Sequence, residues 1–313
     1  MQLVPPNANT EFPTNISGLR ASIDRSVQQV EAIGHSLPPS YLVLLSSFVI
    51  QIGMAMSKTL FDALGSSGVA FLCKGMAALL LLLISRPRLQ HRWQAYGVVG
   101  LFGLSIACTS LLIYAAIDRI PLGVASTLEF VGPLGVAIVG SRRPLDLLWV
   151  ALATAGVFLL APIQGTPLDP VGVGFALLSG LFWSGYILLS APAGRAMPGG
   201  SGLALGITVA ALIMAPFGIS QGGAALLNPW VLVVGVAAGL LTTVVPYSLE
   251  FVALRRMSPR VFGVLISIEP AIAALAGLLF LRETLEVRSL IAIALVIMAA
   301  IGSTVFGKQD SAH

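Results

Sequence analysis

Leu128-Glu129-Phe130-Val131-Gly132-Pro133 lies inside an apolar run from about Ile120 to Val139, and Ser141-Arg142-Arg143-Pro144 follows it. A charged residue at the centre of a membrane-length segment costs roughly 2.5–3.5 kcal/mol on insertion scales. A chain keeps such a group when it is paired, protonated or lining a wet cavity. Glu129 therefore reads as part of a transport pathway, and the rest of the chain as what surrounds it.

Composition sets the class. Of 313 residues, 57% are hydrophobic and only 10% charged, with a mean hydropathy of +0.95. Soluble domains carry about 25% charged residues, so the pattern is that of a polytopic membrane protein. Nucleic acid is not an expected partner. Cys73 and Cys108 both fall in apolar runs and form no disulfide framework. His35, His91 and His313 lie outside the spans, which removes an intramembrane His-based metal site or Ser-His pair. No phosphate-cradling Walker motif is present, so ATP is not the direct energy source. An enzyme, a metal and a cofactor are not expected; a proton or exchange gradient is what remains.

Along the chain, residues 1–39 are polar and rich in proline, and carry no signal-peptide pattern. Ile16, Leu19, Ile23, Val27, Val30 and Ile33 recur at helical spacing, which fits either an amphipathic surface helix or a disordered tail. Ten apolar segments are predicted at about 40–63, 68–85, 93–117, 120–140, 145–163, 170–192, 201–219, 229–253, 259–280 and 287–306. Trp93, Trp149 and Trp230 stand at segment starts, as interfacial residues do. Arginines crowd the loops that share a side with the termini: Arg86, Arg88, Arg92, Arg142, Arg143, Arg195, Arg255, Arg256 and Arg260. The opposite loops hold Arg119, Arg282 and Arg288, each near an acidic residue. Both termini are therefore expected in the cytoplasm.

The two halves match at an offset of about 137 residues: Ala116 with Ala253, Arg119 with Arg256, Leu128 with Leu265, Pro133 with Pro270, Gly140 with Gly277. Five spans per half is an odd number, so the second half is inverted relative to the first. The expected fold is an all-α polytopic membrane protein of ten transmembrane helices in two inverted five-helix repeats, 40–163 and 170–306, with a cytoplasmic tail at 307–313. Inverted repeats place a substrate site near the midplane and favour alternating access.

Glu129 and Glu269 fall near mid-span in the fourth and ninth segments. Pro270 after Glu269 weakens the backbone ladder and frees a carbonyl. One carboxylate binding a substrate amino group and the other carrying a proton is the functional reading; hydrogen bonding to helix neighbours is the alternative. Lys74 lies deep in the second segment and Lys58 near the outer end of the first, where it can snorkel; either suits a substrate carboxylate. Trp183 and Tyr186, one turn apart, wall a cavity or serve packing. Gln51, Tyr114 and Tyr247 are further candidates. Glu250, close in sequence to Arg255 and Arg256, reads as a local ion pair. Gly235 and Gly239 read as a close helix contact.

Lys58-Thr59-Leu60-Phe61, Pro121-Leu122-Gly123, Leu128-Glu129-Phe130 with Gly132-Pro133, Ser141-Arg142-Arg143-Pro144, Pro246-Tyr247-Ser248-Leu249-Glu250, Glu269-Pro270-Ala271 and Glu283-Thr284-Leu285 together carry a resemblance. Over roughly residues 41–306 the chain resembles drug/metabolite transporters with two EamA-type repeats, and more narrowly bacterial threonine/homoserine exporters. That resemblance implies ten helices, an inner-membrane location, and export of small neutral amino acids against protons. It departs at Cys73-Lys74, where such proteins carry an arginine in the second span. The alternatives are export of another metabolite or an amphiphilic drug, and a non-transporting sensor or scaffold.

Overall fold

The computed structural model describes residues 37–87, 93–120, 122–140, 144–160, 169–198, 200–266, 268–269, 272, 287–288, 291–292, 294–295, 297–299 and 302. The 1–39 surface helix (apart from its last three residues), Arg282, Pro270 and most of the ninth and tenth predicted segments lie outside them. Every regular element among the described residues is helical: α1 Pro39–Lys58, α2 Phe61–Ser85, α3 Trp93–Ile117, α4 Leu122–Glu129, α5 Val131–Gly140, α6 Pro144–Leu160, α7 Pro170–Ala196, α8 Ser201–Gly222, α9 Pro229–Gly239, α10 Val245–Leu254 and α11 Pro259–Ile266. A 3-10 turn, Gly223–Leu227, follows α8, and a π turn, Leu240–Val244, joins α9 to α10.

The side chains sort inside out, as a bilayer solvent requires. Leu79, Leu83, Leu181, Leu212 and Val233 face outward, whereas Ala70, Ala77, Ala107, Ala176, Ala204 and Ala210 pack inward. Lipid tails offer no hydrophobic drive between helices, so small residues that let backbones approach closely do the packing. Among the described residues five helical stretches are long and apolar enough to cross a membrane: Phe61–Ser85, Trp93–Ile117, Pro170–Ala196, Ser201–Leu227 and Pro229–Leu254. Local sequence sets their starts. Asp169 accepts from the Val171 N–H at 2.9 Å and Asn228 from the Trp230 N–H at 2.9 Å. In both cases proline follows at the first helical position, where its missing N–H costs nothing.

Three predicted segments need correction. The first ends at Lys58, because Thr59 and Leu60 form a turn before α2. The second starts at Phe61 and is broken at Gly65, whose φ of 67° a side chain would strain. The Ser67 N–H near that break is taken by Gln221 Oε1 at 2.7 Å. The fourth is two helices, parted at Phe130. Pro133 has no N–H for the carbonyl four residues back, so Glu129 O loses its ladder partner. Trp149 lies in the second turn of α6, with its ring where a side chain on Gly302 would stand.

Neighbour relations place the core. α2 runs along α8; α3 lies against α7 and α8. The α9–α10 stretch lies against α1 and α2. α4 and α5 pack on α7, α11 packs on α1, and α5 meets α11.

Candidate functional site

The break in the fourth segment is seated on α7. A side chain at Gly180 would strike the Glu129 carbonyl, and one at Gly132 would strike the Gly180 carbonyl. This glycine-to-glycine approach brings Glu129 to Ser179: Ser179 Oγ lies 2.6 Å from Glu129 Oε1 and 3.0 Å from the Thr109 carbonyl of α3. Phe130, on the same break, meets the Trp183 ring edge-on at 5.1 Å. The bonding partner of Glu129 is therefore on another helix rather than its own.

Lys74 comes from α2, 6% exposed. Its Nζ donates to Thr243 Oγ1 at 3.1 Å and stands 4.1 Å from the centre of the Tyr247 ring, a cation–π contact. Thr243 lies in the π turn beside Thr242, whose hydroxyl donates to the Ala238 carbonyl at 2.7 Å. A π turn widens the helix by one residue and is frequent at functional sites. Here it presents Thr243 and then Tyr247 to Lys74. Of the three N–H donors of an ammonium, one is used on Thr243 and the ring face holds the charge. Donor capacity is left for a ligand.

Tyr247 joins the groups together. Its ring meets Tyr186 edge-on at 5.2 Å, and it is close enough to feel the charges of Glu250, Glu129 and Glu269. The Tyr186 hydroxyl donates to Glu250 Oε2 at 3.0 Å, and its ring stacks on Phe102 at 5.5 Å. Glu250 is 3% exposed, whereas Arg255 and Arg256 are exposed. The expected local ion pair is thus wrong: Glu250 turns inward, to Tyr186 and within electrostatic reach of Lys74. It is a site residue that sequence reading missed. Ser179, Ser47 and Thr243 were missed as well, because a serine or threonine in an apolar helix carries no distinguishing signal.

Glu269 is 6% exposed. It neighbours Ser47 of α1 and feels both Glu250 and Glu129. Among the described residues Glu269 Oε1 and Ser47 Oγ have no hydrogen-bond partner. Gln51, half-buried, is one turn beyond Ser47 on α1. Tyr114 donates its hydroxyl to Met54 Sδ at 3.6 Å, its ring lies beside Phe61, and it stands within electrostatic reach of Tyr247. Lys58 ends α1, and its side chain lies outside the described set. No group of His, Cys, Asp and Glu among the described residues is arranged to hold a metal ion.

At the rim, Arg119 and Asp169 form an ion pair at 3.0 Å. The Val171 N–H, and then Arg119, hold the Asp169 carboxyl below its ordinary value of 3.8.

Charged side chains gathered between apolar helices, out of reach of lipid, define a multi-pass membrane protein with a polar interior of the kind a solute carrier needs. Comparison with known proteins agrees. Residues 170–305 match the EamA-like transporter family. The chain is 39% identical over 276 residues to the threonine/homoserine exporter RhtA of Escherichia coli (strain K12), covering 87% of this chain and 93% of that one. It is 39% identical over 275 residues, with the same coverage, to RhtA of Salmonella typhimurium (strain LT2). It is 28% identical over 233 residues, 72% of this chain and 78% of the other, to the uncharacterized transporter YwfM of Bacillus subtilis (strain 168). A crystal structure with 20% identity, covering 87% of this chain and 96% of that one, superposes with a TM-score of 0.66 and shares the fold. The chain belongs to the EamA-like transporter family, a family of transporters and not of enzymes, whose members move a small solute across a bilayer.

Proposed function

We propose that this protein exports small neutral amino acids of the threonine/homoserine type across the bacterial inner membrane, in exchange for protons, by alternating access. The substrate class rests on the RhtA relatives. Lys74, with donor capacity left over, suits the substrate carboxylate, and the carboxylates suit its ammonium and the coupling proton.

The observation that carries proton coupling is Ser179. A hydroxyl has one proton to donate, yet Ser179 Oγ sits within bonding distance of both a carbonyl and a carboxyl oxygen. The Thr109 carbonyl only accepts. Both bonds form together when Ser179 donates to Thr109 and a protonated Glu129 donates to Ser179. When Glu129 loses its proton, Ser179 must turn to it and release the carbonyl. Glu129 and Ser179 thus make a proton site with two arrangements.

The neighbour pattern supports the inverted repeat of 40–163 and 170–306. Exchanging the halves turns the α3–α7 contact into that of α9–α10 with α1, and α3–α8 into that of α9–α10 with α2. It turns α4–α5 on α7 into α11 on α1, and leaves α2–α8 and α5–α11 facing themselves. With ten spans, both termini fall on the arginine-rich, cytoplasmic side.

The test is labelled threonine movement in proteoliposomes, with and without an imposed pH gradient, for parent and Glu129→Gln. Gradient-driven flux in the parent is expected. The glutamine variant, fixed in the proton-bearing shape, is expected to exchange threonine but not to respond to the gradient. Equal gradient response in both moves the proton elsewhere. No flux of any small amino acid in a folded sample overturns the substrate class.

A further inference from the structure

Ser47 and Ser179 hold the same place in the two halves. Gly53 of α1 lies against Thr242, and Gly185 of α7 lies against Ser105. Ser105 and Thr242 are themselves partners at the repeat offset of about 137. Gly53 and Gly185 are therefore equivalent, and Ser47 and Ser179 each precede them by six residues. Each serine lies beside a buried glutamate: Ser179 beside Glu129, Ser47 beside Glu269.

The two pairs differ in one respect. Ser179 and Glu129 are bonded at 2.6 Å. Ser47, 0% exposed, and Glu269, 6% exposed, come close enough for the hydroxyl to act on the carboxyl, but in a looser geometry: Ser47 Oγ and Glu269 Oε1, both buried, meet no partner at hydrogen-bonding distance and angle among the described residues. Glu250 is not open in this way either, since Tyr186 donates to it. Buried polar atoms left unpaired are costly, and in a native fold they mark a place where something else binds. What would fill this gap is defined by its edges. A carboxylate accepts only; a hydroxyl accepts one bond and donates its own proton. The missing group must bring at least two N–H or O–H donors and tolerate an adjacent negative charge. A primary ammonium meets both conditions: one N–H to Glu269 Oε1, one to Ser47 Oγ, and the serine proton free to reach the carboxylate.

We propose that Ser47 and Glu269 form the ammonium seat of the substrate, and that the Ser179–Glu129 pair is reserved for the proton. This assignment rests on the amino-acid reading above and deepens it, by dividing the two roles between two serine–carboxylate pairs whose carboxylates are offset by about one helical turn, since Glu269 answers Gly132 in the repeat and not Glu129. Ser47 is a binding residue here, not a packing residue.

The experiment uses the full chain, purified in lipid nanodiscs, with labelled threonine binding and thermal unfolding measured at one pH. Parent, Ser47→Ala and Glu269→Gln are compared, and 2,3-dihydroxybutyrate, which carries a hydroxyl in place of the ammonium, is the competitor. Removing one hydrogen bond to a charged group is expected to weaken threonine binding about 10-fold or more in Ser47→Ala. The unliganded variant should melt at or above the parent, because the deleted hydroxyl was unpaired. Glu269→Gln should lose threonine binding, and dihydroxybutyrate should not compete in the parent. A Ser47→Ala variant that binds threonine as the parent does, or a parent in which dihydroxybutyrate competes as well as threonine, overturns the seat while leaving the exporter reading intact. A folded parent that binds no small amino acid overturns both.

Discussion

Single side chains decide most of the chemistry. Ser179→Ala removes the side-chain hydrogen-bond partner that Glu129 has among the described residues and leaves a buried carboxyl unpaired, so a loss of about 1–3 kcal/mol in unfolding stability is expected. Ser47→Ala, at the equivalent position, should cost nothing. Measuring both in the same detergent makes the contrast sharp, and equal losses would contradict the bonding pattern. Lys74→Ala should raise the half-saturating threonine concentration, as the substrate carboxylate loses its cation; an unchanged value would leave Lys74 a packing residue tied to Thr243 and Tyr247. At this scale the sequence was half legible. Glu129, Glu269 and Lys74 stand out because ionisable groups are rare in apolar helices. Glu250 was misread because the sequence shows its neighbours along the helix, Arg255 and Arg256, and not Tyr186 of a different helix. The serines carry no signal at all: Ser57, Ser184 and Ser190 simply bond to carbonyls one turn back, and nothing local separates them from Ser47 or Ser179.

At the scale of elements, the governing feature is the break at Phe130. Pro133→Ala restores the N–H that Glu129 O lacks, which lets the helix run on and should raise stability, by less than the about 3 kcal/mol that proline costs in a helix interior because Pro133 stands in the first turn of α5. The straightened helix would draw the Glu129 backbone away from Gly180, so threonine flux is expected to fall even as the protein melts higher. Gly180→Ala drives a methyl into the same carbonyl and should destabilise by about 1–3 kcal/mol, in line with other overpacked contacts. Flux unaffected by either change would show that the seat of the break on α7 is irrelevant to transport. Apolar run length gave α3 its ends at Trp93 and Ile117 outright. It failed at the first two segments, because an apolar count does not register a turn at Thr59-Leu60 or a reversed φ at Gly65. Nor does it show the contact of Trp149 with Gly302, a glycine 153 positions further on.

For the whole molecule, the question is which face of the membrane each rim meets. With the proposed orientation, Arg119→Cys should react with a membrane-impermeant thiol reagent in intact cells, and Arg195→Cys only after the membrane is opened. Both positions are exposed, and the reverse result would invert the topology. The rim at Arg119 and Asp169 also has an acid-sensitive contact. Asp169 has a depressed folded-state value, so its contribution to stability is present above its ordinary value of 3.8 and is lost as pH falls through the lower, folded value. Asp169→Asn, which still caps α7 but cannot ionise, should flatten that acid limb of the unfolding profile. A variant as acid-sensitive as the parent would place the cause elsewhere. The proposed repeat reads in the sequence as an offset of matched residues, while which helices lie side by side does not, because a single chain lists matches and not neighbours.

The π turn has one more consequence. At the offset of 137, Trp230–Leu254 answers Trp93–Ile117 residue for residue, so the π turn at Leu240–Val244 is a difference of winding and not of length. In a machine of the proposed kind, whose halves trade shapes, the half wound more widely at this point cannot copy the other faithfully. The two facings would then differ in energy, and the protein would have a resting side to which it returns when empty. Replacing Leu240–Val244 by the residues of its counterpart, Gly103–Ala107, should even out that balance, and fluorescence from probes on the two rims would show the empty carrier dividing its time more equally between them.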